Sequence, residues 1–265
     1  MPEALAAALA SARPRLGRLG SQIIYFPATG STNDVATILA IHNTHEGAVV
    51  IADTQTAGRG RRGREWFSPP GSGLYVSVVL RPGRSPRGGG DRATRLLTLA
   101  AGVALVEAVR LATGLAVDLK WPNDLYIGRR KLGGILAEAT GSEPESAVVL
   151  GYGINVGAAA YPSDLRDRAT SLESELGRHV DHVPLLVESL AGLARRYDDL
   201  LEGRFDAILD AWRASAPGSR GARVRWETTV GIASGVTAGV DDEGALLVAV
   251  DDRIERIVAG EVTWL

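Results

Sequence analysis

The stretch that most constrains the fold is TAGRGRRGREWFSPPGSG, residues 56–73. It carries G-x-G-x-x-G at Gly58, Gly60 and Gly63, just after the strand-like run AVVIA (48–52). In a doubly wound sheet that fingerprint opens a helix and meets an acidic residue about 20 positions later. Here Pro69, Pro70, Gly71 and Gly73 follow, and prolines with glycines cannot continue a helix. The dinucleotide reading fails on this context. A Walker loop fails as well, because no Gly-Lys pair occurs in the chain.

The remaining runs agree. QIIYF (22–26), LYVSVVL (74–80) and AVVLGYGINV (147–156) are rich in β-branched or aromatic residues and predict strands. STNDVATILAIH (31–42) predicts a helix opening on a capping Ser31 or Thr32. Residues 92–113, 184–203 and 204–215 predict three more helices, the second with Leu186, Leu190, Leu193 and Tyr197 on one stripe. A short leading helix is expected within residues 1–20. These elements do not alternate regularly, so the expected class is α+β, with a mixed or antiparallel sheet and flanking helices. APGSRG (216–221) reads as a linker. It divides a main domain, 1–216, from a smaller one, 217–265, whose strands RVRWE, ALLVAV and RIERIV and turn DDEG (241–244) predict a small β-barrel.

Charge narrows the function classes. The net charge is −2, so no global field draws the 265-residue chain to nucleic acid or to an acidic membrane. The apolar run LLTLAAGVALV (96–106) is far shorter than the ~20 residues of a membrane span, and no membrane partner is expected. The chain has no cysteine, which excludes disulfides, thiolate metal sites and thiol catalysis and fits a cytoplasmic protein. Of its 29 basic residues only Lys120 and Lys131 are lysines. An arginine run is therefore unsurprising here, whereas each lysine supplies a compact ammonium that a guanidinium cannot imitate.

Both lysines lie in LKWPNDLYIGRRKLGGILAEA (119–139). Pro122 sets a turn that presents Asn123 and Asp124, and a hairpin through DLYIGRRK brings the lysines together. Gly133 and Gly134 permit close backbone approach. The arginine loop stays open between a nucleic-acid grip aided by Trp66, a solvated basic loop, and a mobile loop whose N–H groups and guanidinium forks close over carboxylate and phosphate oxygens. GSTND (30–34) is a helix start that can also serve as a polar socket, and GYGIN (151–155) ends a strand.

In this order, GSTND, TQTAGRGRRGREW, KWPNDL, RKLGGIL and GYGIN resemble the biotin protein ligase (biotin–acetyl-CoA-carboxylase ligase) family, from about Thr29 to Val156. The resemblance continues more loosely into DDEGALLV and AGEVTWL, which look like that family's C-terminal SH3-like barrel. It implies the class II aminoacyl-tRNA synthetase-like (biotin–lipoate ligase) fold. The implied activity is ATP-dependent formation of biotinyl-5′-AMP, then transfer of biotin to a lysine of a biotin carboxyl carrier protein. ATP and Mg²⁺ are the implied cofactors. A lipoate or octanoate ligase of the same fold is the alternative, and an arginine-loop nucleic-acid module is the alternative of another class.

The resemblance also assigns roles. Ser31, Thr32 and Gln55 would bind the ureido ring of biotin, with Asn33 also among the biotin-binding residues, while Gly58, Arg59, Gly60 and Arg61 would line its tail and the phosphate. Lys131 would meet the carboxylate, and Gly133, Gly134 and Ile135 would form an apolar wall. Lys120, Asn123, Asp124, Arg64, Trp66 and Asn155 would lie on the ATP side, Asp124 reaching Mg²⁺ through water. Lys131, Arg59, Arg61 and Lys120 are the candidate catalytic residues, and no general base is evident beyond Asp124. Only about thirty residues precede STND, too few for the winged helix-turn-helix that some members carry. A monofunctional ligase that binds no DNA is therefore expected. Members of the family differ in whether they form a homodimer.

Overall fold

AVVIA, LYVSVVL and AVVLGYGIN are apolar almost throughout because both faces of the sheet they form are covered. The structure is a computed structural model that describes residues 1–265 except 43–44, 86, 142–145, 160 and 230. The elements are α1 (Glu3–Leu16), β1 (Gln22–Phe26), α2 (Thr32–Ile41), β2 (Ala48–Ala52), β3 (Gly73–Leu80), α3 (Gly90–Thr113), β4 (Asp118–Lys120), β5 (Asp124–Ile127), β6 (Arg130–Thr140) and β7 (Ala147–Asn155). They continue with α4 (Leu172–Leu176), α5 (His182–Leu201), α6 (Phe205–Ser215), β8 (Arg220–Thr228), β9 (Gly231–Val240), β10 (Leu246–Val250), β11 (Arg253–Ile257) and β12 (Val262–Trp264).

The main sheet runs β1-β2-β3-β7-β6-β5-β4. Among the described strands of this sheet β1 and β2 pair in parallel and the other pairs are antiparallel. On one face Val49, Ile51, Val76, Val78 and Leu150 join the large core under α1, α3, α5 and α6. On the other, Val50, Val79 and Val149 meet Ala36 and Ala40 of α2. Alternation along each strand thus sorts side chains to two different helical layers. α3 has the length and apolarity of a membrane span, longer than its apolar core segment suggested, but most of that surface is buried inside the protein. Leu96, Leu97, Val103 and Leu105 are at most 1% exposed. The leading helix α1 likewise buries Leu5, Leu9, Ala12 and Leu16 in the main core.

A second, fully antiparallel sheet runs β11-β10-β9-β8-β12. β9 and β12 were not anticipated. Gly231, Gly235 and Gly239 depress the strand signal of β9, yet Gly235 has a packing reason. A Cβ there would meet Val248 Cγ1 at 2.6 Å and the Ala249 carbonyl closer still.

Candidate active site

β7 continues unbroken through Gly151-Tyr152-Gly153 to Asn155. Its register pairs Gly151 with Leu136 and Gly153 with Gly134. By alternation these residues share the face that α2 covers further along the sheet. Where α2 begins, that face opens into a cavity of about 680 Å³.

Each glycine on this face makes room for one polar or aromatic neighbour. A Cβ on Gly151 would overlap the Asn33 amide, and one on Gly153 would lie 2.6 Å from Trp66 Nε1. A Cβ on Gly134 would meet both Lys131 Nζ and Trp66 Cζ3 at 3.3 Å. The indole of Trp66 therefore lies across a Gly134–Gly153 pair. Tyr152 points to the opposite face, where its hydroxyl meets Ser189 Oγ at 2.8 Å and burial pushes its phenol upward. Of the three residues expected to form the apolar wall, Gly134 and Ile135 line the cavity, but Ile135 does not turn its side chain into it. Gly133 packs against the Gly153 carbonyl, and Ile135 sends its side chain toward Gly102 of α3.

The α2 start is held by a side chain that is not its own. Ser31 occupies the N-cap position without a capping bond. Instead Gln55 Oε1 accepts from Thr32 N at 2.8 Å and from Thr32 Oγ1 at 3.0 Å, while Gln55 Nε2 donates to Ser68 Oγ at 3.1 Å. Ser77 Oγ donates to Asn33 Oδ1 at 2.6 Å, and Asn33 Nδ2 donates to Glu138 Oε2 at 2.9 Å. A buried polar chain thus joins α2, β3 and β6.

The arginine loop is a tight hairpin, with Gly60 N donating to Arg64 O at 2.7 Å and Trp66 N to Gly58 O at 2.8 Å. Its tip places Arg62 at φ 58° and Gly63 at φ 73°. Gly58 does not line the cavity; a Cβ there would press on Trp66 O and Ser68 Oγ. The four arginines part ways. Arg59 forks onto Asp34 Oδ1 and Glu138 Oε1, both at 2.6 Å. Arg62 faces Glu227 at 3.7 Å, and Arg64 grips Glu261 at 2.5 and 2.8 Å. Arg61 turns inward, donating to Asn123 Oδ1 at 3.1 Å, and burial lowers its pKa.

The Lys-Trp-Pro-Asn-Asp segment divides its side chains in the same way. Trp121 is buried, and its Nε1 donates to Gly244 O of the second sheet at 2.9 Å. Asn123 Nδ2 donates to Ile135 O at 2.6 Å, clamping the hairpin. Lys131 Nζ meets Asp124 Oδ1 at 2.5 Å and lies 5.5 Å from the Trp66 ring centroid. Lys120 rests between rings, 4.8 Å from the Tyr126 centroid and 5.7 Å from that of Trp264. Burial lowers its pKa to about 8, against an opposing pull from Asp124. Asn155 Nδ2 donates to Thr170 O at 2.9 Å at the cavity edge.

All sequence-derived site residues line this one cavity except Gly58 and Gly133. Sequence reasoning missed Tyr126, Arg168 and Trp264 on its wall, and Glu138 and Glu261 behind its arginines. Glu138 was findable: in GGILAEA it has the strand parity of Gly134. Arg168 sits in a loop of no regular pattern, and Trp264 arrives from the far end of the chain.

Residues 25–155 match the biotin/lipoate A/B protein ligase family, and residues 221–263 match the biotin protein ligase C-terminal domain. The chain is 37% identical over 247 residues to a bifunctional ligase/repressor BirA of Bacillus spizizenii, spanning 92% of this chain and 74% of that protein. It is 37% identical to a biotin–[acetyl-CoA-carboxylase] ligase of Paracoccus denitrificans, over 88% of this chain and 97% of that one. The solved biotin protein ligase from Aquifex aeolicus in complex with biotin and ATP superposes with a TM-score of 0.78 at 28% identity, covering 92% of this chain and 99% of its own. With two family matches on the two sheets, and with the family's motifs gathered around one cavity, the chain belongs to the biotin protein ligase family.

Proposed function

We propose that this protein activates biotin with ATP to give biotinyl-5′-AMP and pyrophosphate, then passes biotin to a lysine of a biotin carboxyl carrier protein. The observation that carries this reading is the convergence of Arg61, Lys120 and Lys131 on one cavity beside the Thr32–Gln55 polar socket. The first step brings a carboxylate against the α-phosphate of a polyanion. The repulsion must be offset by fixed cations, and preorganised ones act most strongly where water is excluded.

Lys131 is suited to the reacting oxygens. Its ammonium is already in the cavity, held by Asp124, and can exchange that partner for a carboxylate oxygen as substrate enters. Arg61 and Lys120 take the phosphate side. Arg59, committed to Asp34 and Glu138, pins the loop to α2 and β6 rather than offering a free charge. In the second step the carrier's lysine amine attacks the acyl carbon and AMP leaves. Asp124, released from Lys131, is the carboxylate at hand to take the amine proton.

Mg²⁺ fits as an ion that arrives on the nucleotide, because such sites use one or two carboxylates plus phosphates and Asp124 supplies one. No cluster of three ligating side chains occurs among the described residues. When bound, the ion would neutralise phosphate charge. A cysteine-free chain acting on ATP and a carboxylase subunit suits the cytoplasm.

Two observations weigh against the alternatives. The C-terminal match is to a biotin protein ligase domain, which disfavours a lipoate or octanoate ligase. Three loop arginines are paired with carboxylates, which disfavours a nucleic-acid grip. The test is biotin-dependent ATP–pyrophosphate exchange followed by labelling of an apo carrier domain. Exchange with octanoate and none with biotin overturns the reading.

A further inference from the structure

The cations at this cavity are not all held alike. Arg59, Arg64 and Lys131 face carboxylates at 2.5–2.6 Å. The ammonium of Lys120 makes no hydrogen bond or ion pair among the described residues; two ring faces hold it instead. Tyr126 comes from β5, beside β4 in the hairpin that carries Lys120. Trp264 comes from the other sheet, where β12 pairs it with Val224 of β8.

The indole is fixed from several sides. A Cβ on Gly218 would meet Trp264 Cζ3 at 2.6 Å, so the turn before β8 is cut to fit the ring. Glu261 anchors the approach to β12 on Arg64, and Trp121 anchors the β9–β10 turn through Gly244. The Trp264 Nε1 is buried without a partner, an arrangement that costs free energy and is tolerated where the ring face has a use.

We propose that Trp264 is a positioning residue for the nucleotide: with Tyr126 it holds the Lys120 ammonium by ring faces, out of a direct ion pair with any carboxylate among the described residues, so that it can meet the triphosphate. A lysine already paired with a carboxylate gives up that pair when an anion binds. A lysine held by ring quadrupoles keeps its position and has no ion pair to break. The second sheet thereby completes the nucleotide half of the cavity. This inference rests on the ATP-dependent reading given above.

The test uses the full chain and three variants, Trp264→Phe, Trp264→Leu and Trp264→Ala. ATP affinity is measured by calorimetry, with biotin affinity and thermal melting in parallel. Leu and Ala are expected to weaken ATP binding about tenfold with biotin affinity little changed and a lower melting temperature from the lost packing, while Phe, which keeps a ring face and lacks the N–H, stays within about twofold for ATP. If Leu binds ATP as well as Phe does, or if ATP and biotin affinities fall by the same factor, the cage is wrong. If the unaltered protein binds no ATP, the cage falls too. Biotin-dependent exchange in the unaltered protein separates the two ideas, because its absence sinks the ligase reading whatever Trp264 does.

Discussion

Lys131 Nζ and Asp124 Oδ1 stand 2.5 Å apart across the β5–β6 hairpin, with both side chains less than a third exposed. The pair stores the cation that the proposed chemistry needs and holds the carboxylate that would next accept a proton. Lys131→Ala should lower biotin-dependent exchange about a hundred- to a thousand-fold, the scale of losing one preorganised charge. It should also leave Asp124 unpaired, costing about 1–3 kcal/mol. The double variant Lys131→Ala with Asp124→Asn should regain that stability but not the activity. Near-normal exchange in Lys131→Ala would remove the residue from the mechanism.

Arg59 and Arg61 are two residues apart in sequence but should fail differently. Among the described residues Arg61 has only Asn123 as a side-chain hydrogen-bond partner, whereas Arg59 is committed to two carboxylates. Arg61→Gly should loosen the grip on the adenylate, so that activated biotin escapes and labels bystander lysines. Arg59→Ala should chiefly weaken biotin binding by unpinning the loop, as should Glu138→Gln, which weakens the same anchor. Mass-spectrometric mapping of labelled lysines, beside biotin affinity, distinguishes the two. Equal leakage from both variants would contradict the division.

Burial pulls the Lys120 ammonium down to about 8 from an ordinary 10.5. The charged form is the one suited to phosphate, so kcat/KM for ATP should fall as pH rises through about 8 in the free enzyme. Stability should move the other way. Between the folded and unfolded values the unfolded chain holds more protons, so folding becomes more favourable as pH rises. Lost activity with an unchanged or higher melting temperature would therefore report titration, not unfolding. Lys120→Arg should shift the alkaline limb upward, since a guanidinium stays charged. An unshifted limb would assign it to another group.

Much of this was legible in the chain because local patterns coincide with tertiary demands. β1 and β2 begin and end where QIIYF and AVVIA do, since both runs are bounded by turn-forming or polar residues. The rarity of lysine pointed to Lys120 and Lys131, and the hairpin does bring both to one cavity. What escaped depends on alternation and on distant segments. Ile135 reads as a pocket wall beside two glycines, but strand parity turns its side chain into the α3 core. Glu138 and Asp34 convert Arg59 from a free charge into an anchor, and only the folded register brings β6 to α2. Trp264 reaches Lys120 across 144 positions of sequence, counting from 120 to 264, through sheet pairing that no local signal encodes.

The Gly134–Gly153 pair offers the sharpest test of how the sheet shapes the site. Both glycines have ordinary strand conformations, as neither is among the glycines with positive φ. The need for them is therefore space, not backbone freedom. Gly153→Ala would put a methyl 2.6 Å from Trp66 Nε1, closer than any real contact. The indole must then lift off the sheet toward Lys131, which lies 5.5 Å from its centroid. Forced repacking of this kind costs about 1–3 kcal/mol, so the fold should survive with a lower melting temperature. Affinity for both substrates should fall by about tenfold or more, because the displaced ring enters the cavity between their sites. Pairing Gly153→Ala with Trp66→Phe, which removes the pyrrole ring, should recover part of the melting temperature. No recovery would mean that the glycine answers to something other than Trp66.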